Sequence, residues 1–174
     1  AICAQWTAHS KLVFVCSPNN PTGNCLPDRE VERLATALAG RGVVVLDSAY
    51  VEFAASDPLQ AMLARHDNVV VLRTLSKSLS LAGIRCGSLL GPPALIELLG
   101  RALPPYCFPT SSQDAVMRCL DPDAQVELAA RRQIIIAERA QLAAALAELP
   151  DVLRVWPSDA NFLLVETTPG STLS

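Results

Sequence analysis

Long apolar runs are what this sequence most plainly lacks. None approaches the ~20 consecutive residues needed to cross a bilayer, although 51% of its 174 residues are apolar. A soluble protein without a membrane partner is expected. A basic stripe is missing as well: 14 Lys and Arg stand against 17 Asp and Glu, for a net charge of -3. The sparse aromatics are not interleaved with cations, which argues against nucleic acid as a partner. The two histidines, His9 and His66, lie far apart without ligand spacing, so no metal site is expected. Six cysteines (Cys3, Cys16, Cys25, Cys86, Cys107, Cys119) contain no CxxC pair. Several sit inside apolar segments, where a reduced thiol behaves as a small hydrophobe, which points to a reducing, cytoplasmic setting. No basic region followed by an apolar stretch opens the chain, so no signal peptide is read. There is no internal repeat and no low-complexity segment. The sequence starts at Ala1 rather than Met and trails off in TTPGSTLS, and both ends look cut.

What is present is an alternation. Three short, β-branched apolar runs, 12–16, 42–47 and 69–72, read as buried strands. Between the first two, REVERLATALAGRG carries Val31, Leu34, Ala35 and Leu38 at helical spacing, with an acidic start and Gly40 near its stop. Between the second and third, LQAMLARH follows Asp57-Pro58 as a shorter helix. Strand, helix, strand, helix, strand argues for a parallel sheet with right-handed crossovers. Residues 85–91 form a fourth strand candidate of open direction, and Pro92-Pro93 introduces the helix ALIELLGRAL. From 121 to 149 the chain is almost continuous helix former, with Pro122 tolerable in a first turn. Segments 151–157 and 161–166 then read as a hairpin of a second layer. The expected fold class is α/β: a mostly parallel sheet with flanking helices in residues 1–120, then a bridging helix and the start of a small α+β domain in 121–174.

The chemistry-bearing residues collect at strand carboxyl ends, where open α/β sheets place ligands. The first strand runs into SPNNPTG, whose prolines fix φ and whose Asn side chains either bond locally or reach a ligand. The second ends in Asp47, which caps the next turn or serves a ligand, with Tyr50, Glu52 and Phe53 just beyond. The third ends in Arg73-Thr74 and continues to Ser76-Lys77-Ser78. A lysine here is a solvated loop residue or a functional amine. The hydroxyls of Thr74, Ser76 and Ser78, with Arg85 eight residues on, suggest a phosphate. A lysine beside a phosphate site at the mouth of a parallel sheet is what a Schiff-base cofactor needs.

Taken in order, SPNNPTG, DSAYVEF, RTLSKSLSLAGIRCG and SDANFLLV resemble the motifs of the fold-type I, aspartate-aminotransferase-like enzymes, most closely their histidinol-phosphate aminotransferase branch. The resemblance implies pyridoxal 5'-phosphate as cofactor, with Lys77 as its covalent partner and proton shuttle, Asp47 on the pyridine nitrogen, and Tyr50 and Asn20 on the ring oxygen. It further implies Thr74, Ser76 and Arg85 on the phosphate and Asn161 near substrate. The reaction implied is transamination of L-histidinol phosphate with 2-oxoglutarate, giving glutamate, in histidine biosynthesis, by a cytoplasmic homodimer. The alternative readings for this chain are another enzyme of the same fold type, threonine-phosphate decarboxylase-like or an aromatic aminotransferase, or an inactive truncated relative. Ser48 stands where the family commonly has Glu, a position outside the chemical core and expected to matter little. The family's phosphate-cupping glycine turn and a substrate-contacting tyrosine are expected upstream of residue 1, and its substrate-anchoring arginine downstream of residue 174.

Overall fold

The structure, a computed structural model, describes residues 2–170. After a single helical turn, α1 (Ile2–Gln5), the chain alternates β1 (Leu12–Cys16), α2 (Asp28–Leu38), β2 (Val43–Asp47), α3 (Leu59–Arg65) and β3 (Val69–Thr74). The sheet order is β1-β2-β3-β4, with the first three strands parallel and β4 (Gly87–Leu90) antiparallel to β3, Thr74 opposite Gly87. The direction left open by the sequence is thus settled: β4 folds straight back on β3.

Two successive right-handed crossovers that step the same way put both helices on one face of the sheet. Val31, Leu34 and Leu38 of α2 and Met62 of α3 pack there against Val15, Val44, Leu46, Val69 and Val71. Gly40, at φ +67 just past α2, takes the left-handed conformation that ends helices and that a side chain resists. Gly42 lets Trp6 close on the core: a Cβ there would lie 2.3 Å from the indole.

One strand departs from expectation. β1 is buried on one face only; Leu12 is 56% and Phe14 68% exposed. The strand is at the edge of the sheet, and the period of two turns Leu12 and Phe14 to the face that α2 and α3 do not cover. A groove of about 1100 Å³ runs along this edge, between β1 and α2, with Ile2, Phe14, Leu26 and Leu34 among its lining.

Beyond β4 come α4 (Pro93–Gly100), α5 (Thr110–Cys119) and the 26-residue α6 (Pro122–Ala147). The sequence pattern missed α5, because TSSQDAVMRC has no apolar period and buries only Ser112. Asp121 caps α6 by accepting the Asp123 N–H at 3.0 Å, so Pro122 sits harmlessly in the first turn. A two-stranded antiparallel sheet, β5 (Val152–Val155) and β6 (Val165–Thr167), follows. The second strand is shorter than the expected 161–166: Phe162 packs on Tyr50 instead of extending the ladder. Among the described residues no helix is long and apolar enough to cross a membrane.

Candidate active site

The carboxyl ends of β1, β2 and β3 lie side by side because the strands are parallel and adjacent. Each delivers one part of the site. From β1 the chain enters SPNNPTG, whose Ser17–Pro18 and Asn20–Pro21 bonds are both cis. Asn20 reaches across to β2's loop, its Nδ2 donating to the Tyr50 hydroxyl oxygen at 3.1 Å. Tyr50 is buried and opens a 3-10 turn, Val51–Phe53. From β3, Lys77 brings its Nζ to 5.3 Å from the centre of the Tyr50 ring, a cation on an aromatic face. Asn20, Tyr50 and Lys77, separated by up to 57 positions in the sequence, therefore meet.

Asp47 closes β2 half-buried, and its Oδ1 accepts the Ala49 N–H at 3.1 Å. That bond holds the turn leading to Tyr50 and leaves Oδ2 for other use. Burial pushes the Cys16 thiol up, a bond from the Asn20 backbone opposes this, and the Asp47 charge adds to the rise. Ser48, next in sequence, is buried, and its N–H donates to the Leu72 carbonyl at 3.0 Å, locking β2's end to β3.

The hydroxyl-bearing turn is ordered from within. Thr74 Oγ1 accepts the Ser76 N–H at 3.1 Å, Leu75 N–H bonds the Cys86 carbonyl at 3.2 Å, and Ser78 is buried. Arg85 stands apart. It holds a left-handed φ of 55, is exposed, and donates to the Ala82 carbonyl at 2.9 Å. Among the described residues it forms no hydrogen bond to Thr74 or Ser76, so the structure does not join the expected trio by direct contact.

Asn161 is exposed, in a segment docked on both earlier loops. Phe162 meets Tyr50 edge-on at 5.2 Å. Asp159 N–H donates to the Gly23 carbonyl at 2.7 Å, while Asp159 Oδ2 accepts the Cys25 N–H at 3.0 Å. Gly23 is required here twice over: its φ is +78, and a Cβ would lie 2.4 Å from Ser158 Oγ. Burial first, then the Asp159 charge, raise the Cys25 thiol to about 11.

Sequence reasoning missed two supports. Arg73, taken only as the polar end of a strand, is nearly buried, grips Asp57 through both carboxylate oxygens at 2.5 Å, and lies 3.6 Å from Glu52. Burial raises the Glu52 carboxyl against the pull of Arg73. Arg139 of α6 donates to Ala160 and Phe53 carbonyls. Glu52 and Asp57 in the segment after β2, facing a cation at the end of the neighbouring β3, were the available signal for Arg73; for Arg139 there was none, since its acceptors are backbone.

The sequence matches the family described as aminotransferase class I and II over residues 1–173. It is 46% identical over 157 residues to a histidinol-phosphate aminotransferase of Stenotrophomonas maltophilia, covering 90% of this chain and 43% of that protein. It is 46% identical over 162 residues to one of Xanthomonas campestris pv. campestris, covering 93% and 45%. Among solved structures, the histidinol-phosphate aminotransferase of Sinorhizobium meliloti in complex with pyridoxal-5'-phosphate superposes with a TM-score of 0.80 at 28% identity, over 91% of this chain and 42% of that one. The L-threonine-O-3-phosphate decarboxylase of Porphyromonas gingivalis, at 22% identity and a TM-score of 0.79, shares the fold. The chain spans less than half the length of the curated relatives it matches. With the family matched along nearly the whole sequence and the strand-end cluster in place, this chain belongs to the class I and II aminotransferases.

Proposed function

We propose that this chain carries the cofactor-binding part of a pyridoxal 5'-phosphate-dependent aminotransferase that moves the amino group of L-histidinol phosphate to 2-oxoglutarate in histidine biosynthesis. The observation that carries the reading is the convergence of Asn20, Tyr50 and Lys77 from three strand ends, beside Asp47. Likeness to histidinol-phosphate aminotransferases supports the choice of substrate.

The donor set fits the cofactor by its chemistry. Lys77 offers an amine for an aldehyde, Asp47 a carboxylate for a ring nitrogen, and Asn20 and Tyr50 neutral donors for a ring oxygen. Thr74 and Ser76 offer hydroxyls for the phosphate. Arg85, with one backbone carbonyl on its guanidinium, has further N–H donors for the same group. When bound, the cofactor supplies an electron sink for charge developing at the substrate's α-carbon.

The chain's own residues do the rest. Asp47 keeps a facing nitrogen protonated, held in place by its bond to Ala49. Because Asn20 donates to the Tyr50 oxygen, the tyrosine's own proton is free to point outward. The Tyr50 face holds the Lys77 ammonium at the mouth of the sheet. There, once its proton has been given up, the neutral amine acts as general base and the ammonium so formed as acid, a role worth about 10²–10⁴-fold. Asn161 approaches the substrate from the segment that Phe162 docks.

We place the cofactor domain in residues 1–120 and the bridging helix with part of a small domain in 121–174. A cytoplasmic homodimer fits the free cysteines and the exposed Leu103, Tyr106 and Met117, which offer apolar surface to a second copy. Borohydride reduction of an enzyme containing this chain should fix the cofactor on Lys77, read by peptide mapping. Lys77→Ala should lower amino transfer by about 10²-fold or more. Undiminished turnover in that variant would refute the assignment, and release of carbon dioxide without amino transfer would refute the reaction.

A further inference from the structure

Arg139 reaches from the second half of α6 into the floor beneath Tyr50. Its Nη1 donates to the Ala160 carbonyl at 2.6 Å and, more weakly, to the Phe53 carbonyl at 3.4 Å. Both acceptors belong to buried residues, Ala160 at 0% and Phe53 at 1% exposure. Ile136, one turn earlier on α6, packs against the same Tyr50–Phe53–Ala160 cluster. One guanidinium thus joins three segments: the long helix, the turn that carries Tyr50, and the loop that carries Asn161. The two N–H groups of one guanidinium nitrogen serve both carbonyls. On its other side the loop is held by the two bonds of Asp159 to Gly23 and Cys25.

We infer that Arg139 is a positioning residue: it clamps the Ser158–Phe162 segment onto the Tyr50 turn and thereby sets where Asn161 meets the amino substrate. The role assigned to Asn161 rests on the function proposed above; the clamp itself does not. Without the guanidinium, the buried Ala160 carbonyl loses its partner, and the segment relieves this by lifting toward water. Lifting displaces Asn161 and Phe162, whereas Asp47 and Lys77 belong to segments that Arg139 does not touch and keep their places, and Tyr50 keeps its bond from Asn20.

The test compares Arg139→Met and Arg139→Lys in a holoenzyme containing this chain, with Asp159→Ala loosening the same segment from its far side. Arg139→Met should raise KM for L-histidinol phosphate about tenfold or more, with kcat held within about threefold. Borohydride capture of the cofactor should be unchanged, and Arg139→Lys should recover part of the loss. In the cofactor-free protein, amides 158–162 should lose protection from hydrogen exchange. Asp159→Ala should move KM and exchange the same way, and it decides the matter if Arg139→Met does not fold. Unchanged KM and unchanged exchange in folded variants would overturn the inference, as would a loss confined to kcat or cofactor capture. A parent enzyme that captures no cofactor refutes the proposed function, and the exchange comparison still decides the clamp.

Discussion

β3 and the stretch from α4 to α5 are both rich in apolar residues, yet they stand at opposite ends of burial. Val69, Val70 and Val71 are at most 1% exposed, whereas Leu103 is 65% exposed and Tyr106 fully so. α4 buries none of its residues. In the first region the chain covers its own apolar side chains, Val69 and Val71 lying under the crossover helices that return over the strands they connect. In the second it does not, so those side chains contribute little to the stability of this chain. The candidate site sits in the first region: a site held to fractions of an ångström needs a packed support.

The largest effect should come from emptying the packed side. Phe53→Ala, beneath Tyr50, should lower stability by about 3–5 kcal/mol, whereas Leu103→Ala should stay within about 0.5 kcal/mol; urea unfolding of both variants checks this. Equal losses would break the comparison. Next come two glycines that share a left-handed backbone but not their surroundings. Gly40, at φ +67, has nothing within 4 Å of a would-be Cβ, whereas Gly23 faces Ser158. Gly40→Ala should cost about 1 kcal/mol from backbone conformation alone. Gly23→Ala should exceed it by about 1–3 kcal/mol for the clash, and the difference in urea midpoints measures how tightly the Ser158–Phe162 segment is seated. The smallest change needs no substitution. Cys107 lies exposed in the open stretch, and Cys25 lies in the packed part with its thiol raised to about 11. At pH 8 Cys25 should therefore alkylate about a hundredfold more slowly than an ordinary thiol, its rate rising with pH until the thiolate dominates near 11. Mass-spectrometric labelling of both cysteines follows this.

What the sequence made legible was whatever repeats or punctuates. β2 and β3 are buried on both faces and read as unbroken β-branched runs, and α2 shows its buried stripe at helical spacing. The placing of Asn20, Asp47, Tyr50 and Lys77 at one end of the sheet was legible because turn residues mark strand ends, whereas their roles came only with the resemblance. The exposure of Phe14 was not, since an apolar residue carries no sign of whether anything covers it. Neither was α5, which owes its helix to position rather than to a stripe. Arg139 was hidden for a third reason: backbone carbonyls are the same at every position, so a side chain that binds them leaves no partner type to look for.

The reversal of β4 has one more consequence. With Thr74 opposite Gly87, and the Leu75 N–H bonded to the Cys86 carbonyl, the segment carrying Lys77 is a short loop tied at both ends to one rung of a ladder. Closing it again inside, Ser80 N–H returns to the Lys77 carbonyl at 3.3 Å. An amine on such a tether that lets go of its partner does not diffuse away. On the function proposed above it stays at an effective concentration of about millimolar or more, so release and recapture by Lys77 become a local equilibrium that bulk amines cannot easily invade.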